Sequence, residues 1–542
     1  MRRFAASLAI ALAAIVATAA PAYAHATLVA TEPAAGAKLD GLPSAVTLTF
    51  NEAVEVALGG IRVYDAKAQR IVTPKPTHPG GSSSKVAVTL PALDDGSYVV
   101  TWRVVSADSH PVHGAFTFHV GTAASTSDTG PLAKRLLNAD TGSRPVGVAS
   151  GLARFAAFAG LVVLVGGAAF ALTLWPGGLD HPRTRTLLWS ALLTCAIATA
   201  AGIALQGATG AGLGLGAAFK PTVLRDVAGT RYGTLALARL GLLALAAGWL
   251  AFAPKRTTGA VIGLALLATP GLAGHAAAGD LAALALTADV AHLAAVSIWL
   301  GGLVLLTTAV LTAGSRQDWR DPAVKTVQRF SDVALMAVVV IVVTGTFQGW
   351  RQVASIPGLT GTTYGRLLLV KVGLFVVMVG LAYAGRKWVR KRKGGAEPPL
   401  AKLRRSVAAE AVVAVVILAV TAGLVDATPA KVALARPYST ELTTPKLLID
   451  LTLDPAKAGP VALHLYTLTP EGAQRAVEEM TARLTLAQPP VGPIDIPLVV
   501  AGPGHYVVYG FDLPLPGKWR LDVIARLTDI DQVQASTTVN VR

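Results

Sequence analysis

Three regimes of hydrophobic patterning divide this chain of 542 residues. In residues 25–121, apolar and polar positions alternate in short runs, the period of a half-buried strand. The runs are Val46-Thr47-Leu48-Thr49-Phe50, Ile61 to Tyr64, Lys85 to Leu90, Tyr98 to Val105 and Ala115 to Val120. Pro-Gly-Gly at 79–81 and Asp-Asp-Gly at 94–96 supply turns between them. This pattern predicts a small all-β sandwich of the immunoglobulin-like kind. A Gly-, Ser- and Thr-rich linker over 122–147 follows.

The second regime, residues 148–427, contains eight continuous apolar segments, at about 148–174, 187–207, 235–253, 257–274, 285–312, 332–350, 365–385 and 406–426. Each is close to the ~20 residues a helix needs to cross a bilayer, which predicts a polytopic α-helical membrane domain. In residues 428–542 strand alternation returns, at Leu447 to Leu453, Val461 to Tyr466, Tyr506 to Phe511 and Trp519 to Ala525, with a turn at Pro514 to Lys518. This predicts a C-terminal β-sandwich.

Composition agrees with that division. Apolar residues make up 53% of the chain, charged residues only 14%, and mean hydropathy is +0.55, too apolar for a wholly soluble protein. A net charge of +16 would suit nucleic acid, but the densest basic run, Arg386 to Lys393, lies between two apolar segments as a cytoplasmic loop would. No nucleic-acid partner is expected. With the first sandwich outside, loops on the inner side hold seventeen Lys and Arg, and outer loops only Lys220, Arg225, Arg231 and Arg351. That asymmetry predicts a plasma or inner membrane protein with both termini extracytoplasmic. The first 24 residues read as a signal peptide: Arg2 and Arg3, an apolar run from Phe4 to about Ala19, then Ala22-Tyr23-Ala24. An uncleaved anchor helix is the other reading of this segment.

The available donors narrow the chemistry. Cys195 is the only cysteine and there are four methionines, so a thiolate or methionine-rich metal site is excluded. Any metal must be held by His, carboxylate or a free amine. Asp108-x-His110 at the end of a strand places both side chains on one face. Cleavage after Ala24 would add His25, whose amine and imidazole chelate together. Two imidazoles, an amine and a carboxylate form a set suited to tetragonal Cu(II). Alone, Asp108 and His110 also fit a hydrogen-bonded turn.

These residues carry a family resemblance. His25-Ala26-Thr27-Leu28, Thr47-x-Thr49-Phe50-Asn51-Glu52-Ala53-Val54 and Trp102 to Val120, including Asp108, His110, Gly114, Phe116 and Phe118, resemble the copper-resistance protein C (CopC) family. The resemblance implies a periplasmic, cupredoxin-like sandwich with Cu(II) held by His25, Asp108 and His110. It also implies that Glu52 stands near the metal, and that the methionine-built Cu(I) site of some members is missing. His113, His119, His464 and His505 are expected to be structural.

The membrane region resembles the companion CopD family of proposed copper importers. The matching stretches are Gly274-His275-Ala276, Asp289-x-x-His292, Trp299-Leu300-Gly301-Gly302, Arg329-Phe330-Ser331, Tyr364-Gly365, Lys371 and Glu410. Independently, an ionisable group at the bilayer centre costs ~2.5–3.5 kcal/mol, so Arg154, Arg239, Asp289, Lys371 and Glu410 each need a reason to be there. Asp289 and His292 share a helical face. Two roles fit: a copper path through His275, Asp289 and His292, or a buried ion pair of Asp289 with Arg239 or Lys371 that only locks helices.

The sequence therefore points to copper homeostasis or resistance, with extracytoplasmic Cu(II) binding coupled to copper transport, in the import direction, without catalysis. The partners are the copper ion and the lipid bilayer; a copper chaperone or reductase is not identified. A haem- or copper-dependent membrane redox protein, and copper delivery to oxidase assembly, are the alternatives.

Two outcomes are expected. N-terminal sequencing of the mature protein should begin at His25; a chain beginning at Ala26 or Met1 lacks the chelate. Electron paramagnetic resonance of the 25–121 segment loaded with Cu(II) should give a tetragonal spectrum with nitrogen coupling, and Cu(I) should bind more weakly.

Overall fold

The computed structural model describes residues 26, 28–33, 37–39, 41–50, 52–106, 111–121, 132–133, 135–136, 143–252, 255–274, 281–311, 320–353, 355–391, 400–434, 437–470, 475–502 and 504–541. The expected signal peptide, His25, Asp108, His110, His275 and most of the expected linker lie outside the described residues.

The first sandwich contains β1 (Leu28–Glu32), β2 (Lys38–Leu39), β3 (Ala45–Phe50), β4 (Val54–Asp65), β5 (Arg70–Ile71), β6 (Lys85–Thr89), β7 (Gly96–Ser106) and β8 (Pro111–Val120). One sheet has the order β1-β3-β6 and the other β2-β8-β7-β4-β5. Alternation does what the pattern predicts: Val46, Leu48 and Phe50 are buried while their neighbours on β3 are not. The Pro-Gly-Gly turn forms at Pro79–Gly81, where Gly80 and Gly81 take φ of 61° and 72°. The short strands β1 and β2 were not foreseen, because two to five residues carry too little periodicity. Trp102 packs edge-on against Phe50 with centroids 5.4 Å apart. Its indole is accommodated because Gly114 faces it across the β7–β8 ladder. A Cβ there would lie 2.5 Å from the ring.

Eight helices among the described residues are long and apolar enough to cross a membrane. They belong to α1 (Arg144–Thr173), α2 (Pro182–Ala211), α3 (Arg231–Phe252), α4 (Arg256–Ala273), α5 (Ala282–Leu305), α6 (Arg320–Val353), α7 (Thr363–Lys391) and α8 (Leu400–Asp426). Several start before their apolar segments, since a helix continues past the hydrocarbon into the interface. A π-helical turn, Leu306–Val310, extends α5.

The centre of this bundle is α5, and small residues let α1 meet it backbone to backbone. A Cβ on Gly166 would run into the Ser297 carbonyl, and one on Gly301 would stand 2.7 Å from the Val162 carbonyl oxygen. The Trp299-Leu300-Gly301-Gly302 stretch is thereby explained as packing. Trp299 is 1% exposed and meets Phe375 of α7 edge-on at 5.9 Å. Gly301 admits α1, and Gly302 accommodates the ring of Phe330 from α6, which also packs on Phe170 of α1 at 5.5 Å.

The second β region contains β9 (Tyr438–Thr443), β10 (Leu448–Asp454), β11 (Gly459–Leu468), β12 (Glu479–Leu486), β13 (Val491–Ile496), β14 (Val499–Gly502), β15 (His505–Leu513), β16 (Gly517–Thr528) and β17 (Asp531–Val541). They form sheets ordered β14-β15-β11-β10-β9 and β13-β12-β16-β17. Leu451, Leu463, Leu465, Trp519, Leu521 and Val523 share one core. His505 is 1% exposed. Burial, with His464 beside it, pushes its pKa down to about 4, so it is neutral at pH 7.

Two substitutions test this packing. Gly114→Val overfills the contact with Trp102 and should destabilise the first sandwich by about 1–3 kcal/mol in denaturant unfolding of the 25–121 segment. Gly166→Val should lower the melting temperature of the detergent-solubilised chain, whereas Gly241→Val, where a Cβ meets nothing within 4 Å, should leave it unchanged.

Candidate metal centre

At one end of the first sandwich, the described residues flanking the candidate ligands converge. Ala26 is buried in the sandwich core. Leu28 of β1 pairs with Phe50 of β3. The amides of Phe50 and Val54 donate to the carbonyls of Ser84 and Ser83 at 2.8 and 2.9 Å. Val54 in turn pairs with Ser106, the last residue of β7. On β8 the ladder resumes with Pro111 opposite Val105. Glu52 sits two residues before β4, at this same end. The chain thus enters and leaves the segments that contain His25, Glu52, Asp108 and His110 at one end of this sandwich. Of these four, Glu52 alone is described.

The other expected histidines sit in strands. His119 Nδ1 is 2.8 Å from Ser97 Oγ, and His113 lies exposed opposite Arg103.

The second cluster is inside the bundle. Asp289 and His292 stand one turn apart on α5, and α6 answers with Thr344 and Gln348, also one turn apart. His292 Nδ1 lies 2.8 Å from Thr344 Oγ1. The Thr344 hydroxyl donates its proton to the Val340 carbonyl at 2.6 Å. The hydroxyl oxygen therefore accepts from His292, which assigns the ring proton to Nδ1 and leaves the Nε2 lone pair available. Gln348 Nε2 donates to Asp289 Oδ1 at 3.3 Å. On the other side Gly271 of α4 makes room for Asp289, since a Cβ there would come 2.5 Å from Oδ2. Lys371 of α7 is within electrostatic range of both Asp289 and His292.

Thr344 is thus the side chain that orients His292. Of the two expected ion-pair partners of Asp289, Arg239 is engaged elsewhere, its Nε donating to Thr269 Oγ1 at 2.7 Å, and Lys371 is the one within electrostatic range. Elsewhere Arg154 bridges α1 to α8, reaching the Ala422 carbonyl at 3.2 Å and Asp426 Oδ1 at 3.1 Å, and Glu410 is buried on α8. Thr344 and Gln348 were not foreseen. Their signal was present as two polar residues at i and i+4 in an apolar helix, but Thr in such helices commonly bonds only its own backbone. Among the described residues, no group of three or more His, Cys, Asp and Glu is placed to hold a metal. A neutral imidazole with its outward nitrogen unprotonated nevertheless presents a metal-binding lone pair.

Known proteins resemble parts of this chain. Residues 28–121 match the CopC domain, 147–283 the N-terminal domain of copper resistance protein D-like proteins, and 324–424 copper resistance protein D. The copper transport protein CutJ of Bacillus subtilis is 30% identical over 388 residues, covering 68% of this chain and 69% of that protein. Copper resistance protein C of Pseudomonas syringae is 36% identical over 105 residues, or 18% of this chain and 82% of that protein. The crystal structure of CopC from Methylosinus trichosporium OB3b is 32% identical, covers 18% of this chain and 94% of that one, and has a TM-score of 0.17. With a relative of that identity and extent, and with both halves matched in order, the chain belongs to the family in which a CopC domain is fused to a CopD membrane domain.

Proposed function

We propose that this protein captures Cu(II) outside the membrane through His25, Asp108 and His110, with Glu52 beside the metal, and passes copper inward by way of the Asp289–His292 cluster. The observation that carries the reading is His292: a histidine in the membrane interior, oriented by Thr344 so that Nε2 is the unprotonated nitrogen.

Magnitudes support it. An aspartate at the bilayer centre costs ~2.5–3.5 kcal/mol. An interhelical hydrogen bond of the kind Gln348 makes returns on average ~0.6 kcal/mol. The Gln348 bond alone does not offset that cost, and Lys371, within electrostatic range, contributes further; a cation path gives the carboxylate a use beyond stability, since it lowers the energy of a passing copper ion. Lys371 nearby opposes a resident cation and so favours release over storage. An even number of spans, eight among the described residues, and the excess of basic residues in the loops expected inside both support an extracytoplasmic position for the two soluble regions. CutJ, named a copper transport protein, carries the same two halves.

His292→Ala should abolish cellular copper accumulation while leaving Cu(II) binding by the first sandwich intact. His110→Ala should weaken capture, with transport restored at high external copper. Normal accumulation by folded, membrane-inserted His292→Ala and Asp289→Ala proteins defeats the path. Thr344→Val removes the orienting hydroxyl without changing side-chain size, and should reduce transport about 10–100-fold, the usual effect of losing such a support; Thr344→Ser should retain it.

A further inference from the structure

Of the ionisable side chains Arg154, Arg239, Asp289, Lys371 and Glu410 in the membrane half, the first four have company. Arg154 bonds to Asp426 and the Ala422 carbonyl, Arg239 to Thr269, and Asp289 to Gln348 with Lys371 in electrostatic range. Glu410 of α8 is different. It is 6% exposed, and among the described residues no hydrogen bond, ion pair or nearby charge reaches it.

Its place on the helix is equally specific. Val407, Ala414 and Ile417 of α8 are buried in one core with Leu306, Ala309 and Val310 of the π-helical turn that extends α5. At about 100° per residue, positions 407, 410, 414 and 417 fall within roughly 80° of one another. Glu410 therefore stands inside the apolar stripe that α8 buries. The π-helical turn packs against α8, and turns of this kind are frequent at functional sites. About 14 residues separate His292 from Leu306, or roughly 21 Å along α5 at ~1.5 Å per residue.

We propose that Glu410 is a second station for copper on the membrane path, receiving the cation after the Asp289–His292 cluster and releasing it toward the end of the bundle where α8 begins. This inference rests on the transport reading above and extends it to the other end of the bundle.

Three features point this way. A lone carboxylate in an apolar core is a cost to stability that no side chain at hand offsets, whereas a passing cation would offset it. The hydrocarbon layer is ~30 Å thick, so a cation leaving His292 still has most of it to cross, and a second negative group lowers that barrier. Carboxylate oxygen belongs to the nitrogen and oxygen donors that suit Cu(II). A single such donor holds the ion loosely, which favours passage over storage.

The test measures copper uptake by cells expressing the full chain across a range of external copper, alongside thermal melts of the detergent-solubilised protein. Glu410→Gln should lower maximal uptake by at least the ~10-fold that losing the support of a metal ligand costs, and high external copper should not restore it. Its melting temperature should be unchanged or higher, because the substitution removes an uncompensated carboxylate from the core. Glu410→Asp, which keeps the charge, should transport better than Glu410→Gln. Normal maximal uptake by Glu410→Gln overturns the inference. So does a lowered melting temperature or a failure to fold, since the carboxylate is then a packing contact. Defective His292→Ala with normal Glu410→Gln defeats this station alone, whereas normal uptake by both defeats the transport reading as well.

Discussion

The membrane half of this protein depends on one close approach, that of α1 to α5. Lipid tails are as apolar as leucine, so nothing resembling the hydrophobic effect in water draws two spans together. What remains is contact, and it is strongest where backbones touch. Gly166 and Gly301 supply that touch, and larger side chains at either position would separate the helices. With α1 seated, Trp299 and Gly302 turn to α7 and α6, through Phe375 and Phe330. One helix thus contacts three others through Trp299, Gly301 and Gly302.

The polar contacts of Asp289 and His292 follow from that placement. Once α6 is registered against α5 by Phe330 in the Gly302 notch, Thr344 and Gln348 come level with His292 and Asp289. In an apolar medium an unpaired donor or acceptor costs several times what a formed bond returns, so the two pairs also set the rotation of each helix. The outcome is a histidine whose tautomer is determined by the backbone of a neighbouring helix: the Val340 carbonyl takes the Thr344 proton, and Thr344 must then accept from His292. The proposed copper path uses the nitrogen that this relay leaves bare.

Outside the membrane, two sandwiches solve a different problem. Water satisfies their edges, and each needs only one buried face per sheet. The segments with the expected ligands of the first sandwich leave it from strand ends, where several strands come close, whereas the His464–His505 contact lies on a flat sheet face, which brings together only neighbours on adjacent strands.

The sequence by itself determined a great deal. Alternation located five strands of the first sandwich and four of the second but neither β12 nor the 11-residue β17, apolar length located the eight spans seen among the described residues, and a spacing of three put Asp289 and His292 on one helical face. The scarcity of sulfur donors limited the metal chemistry to nitrogen and oxygen. Each of these is a local property, readable because periodicity reports how one element meets its surroundings. Tertiary structure decided which groups meet. Thr344 is 52 residues from His292, and no periodicity encodes that pairing. The Trp299 to Gly302 stretch stood out as a motif, but only the contacts of Phe330, Phe375 and α1 identify it as packing. His464 and His505 meet because a bulge between Val461 and Leu463 sets the register of two strands separated by three others in the chain. Shifting that register by one residue would turn each side chain to the opposite face, and the choice is made by the whole sheet rather than by either strand.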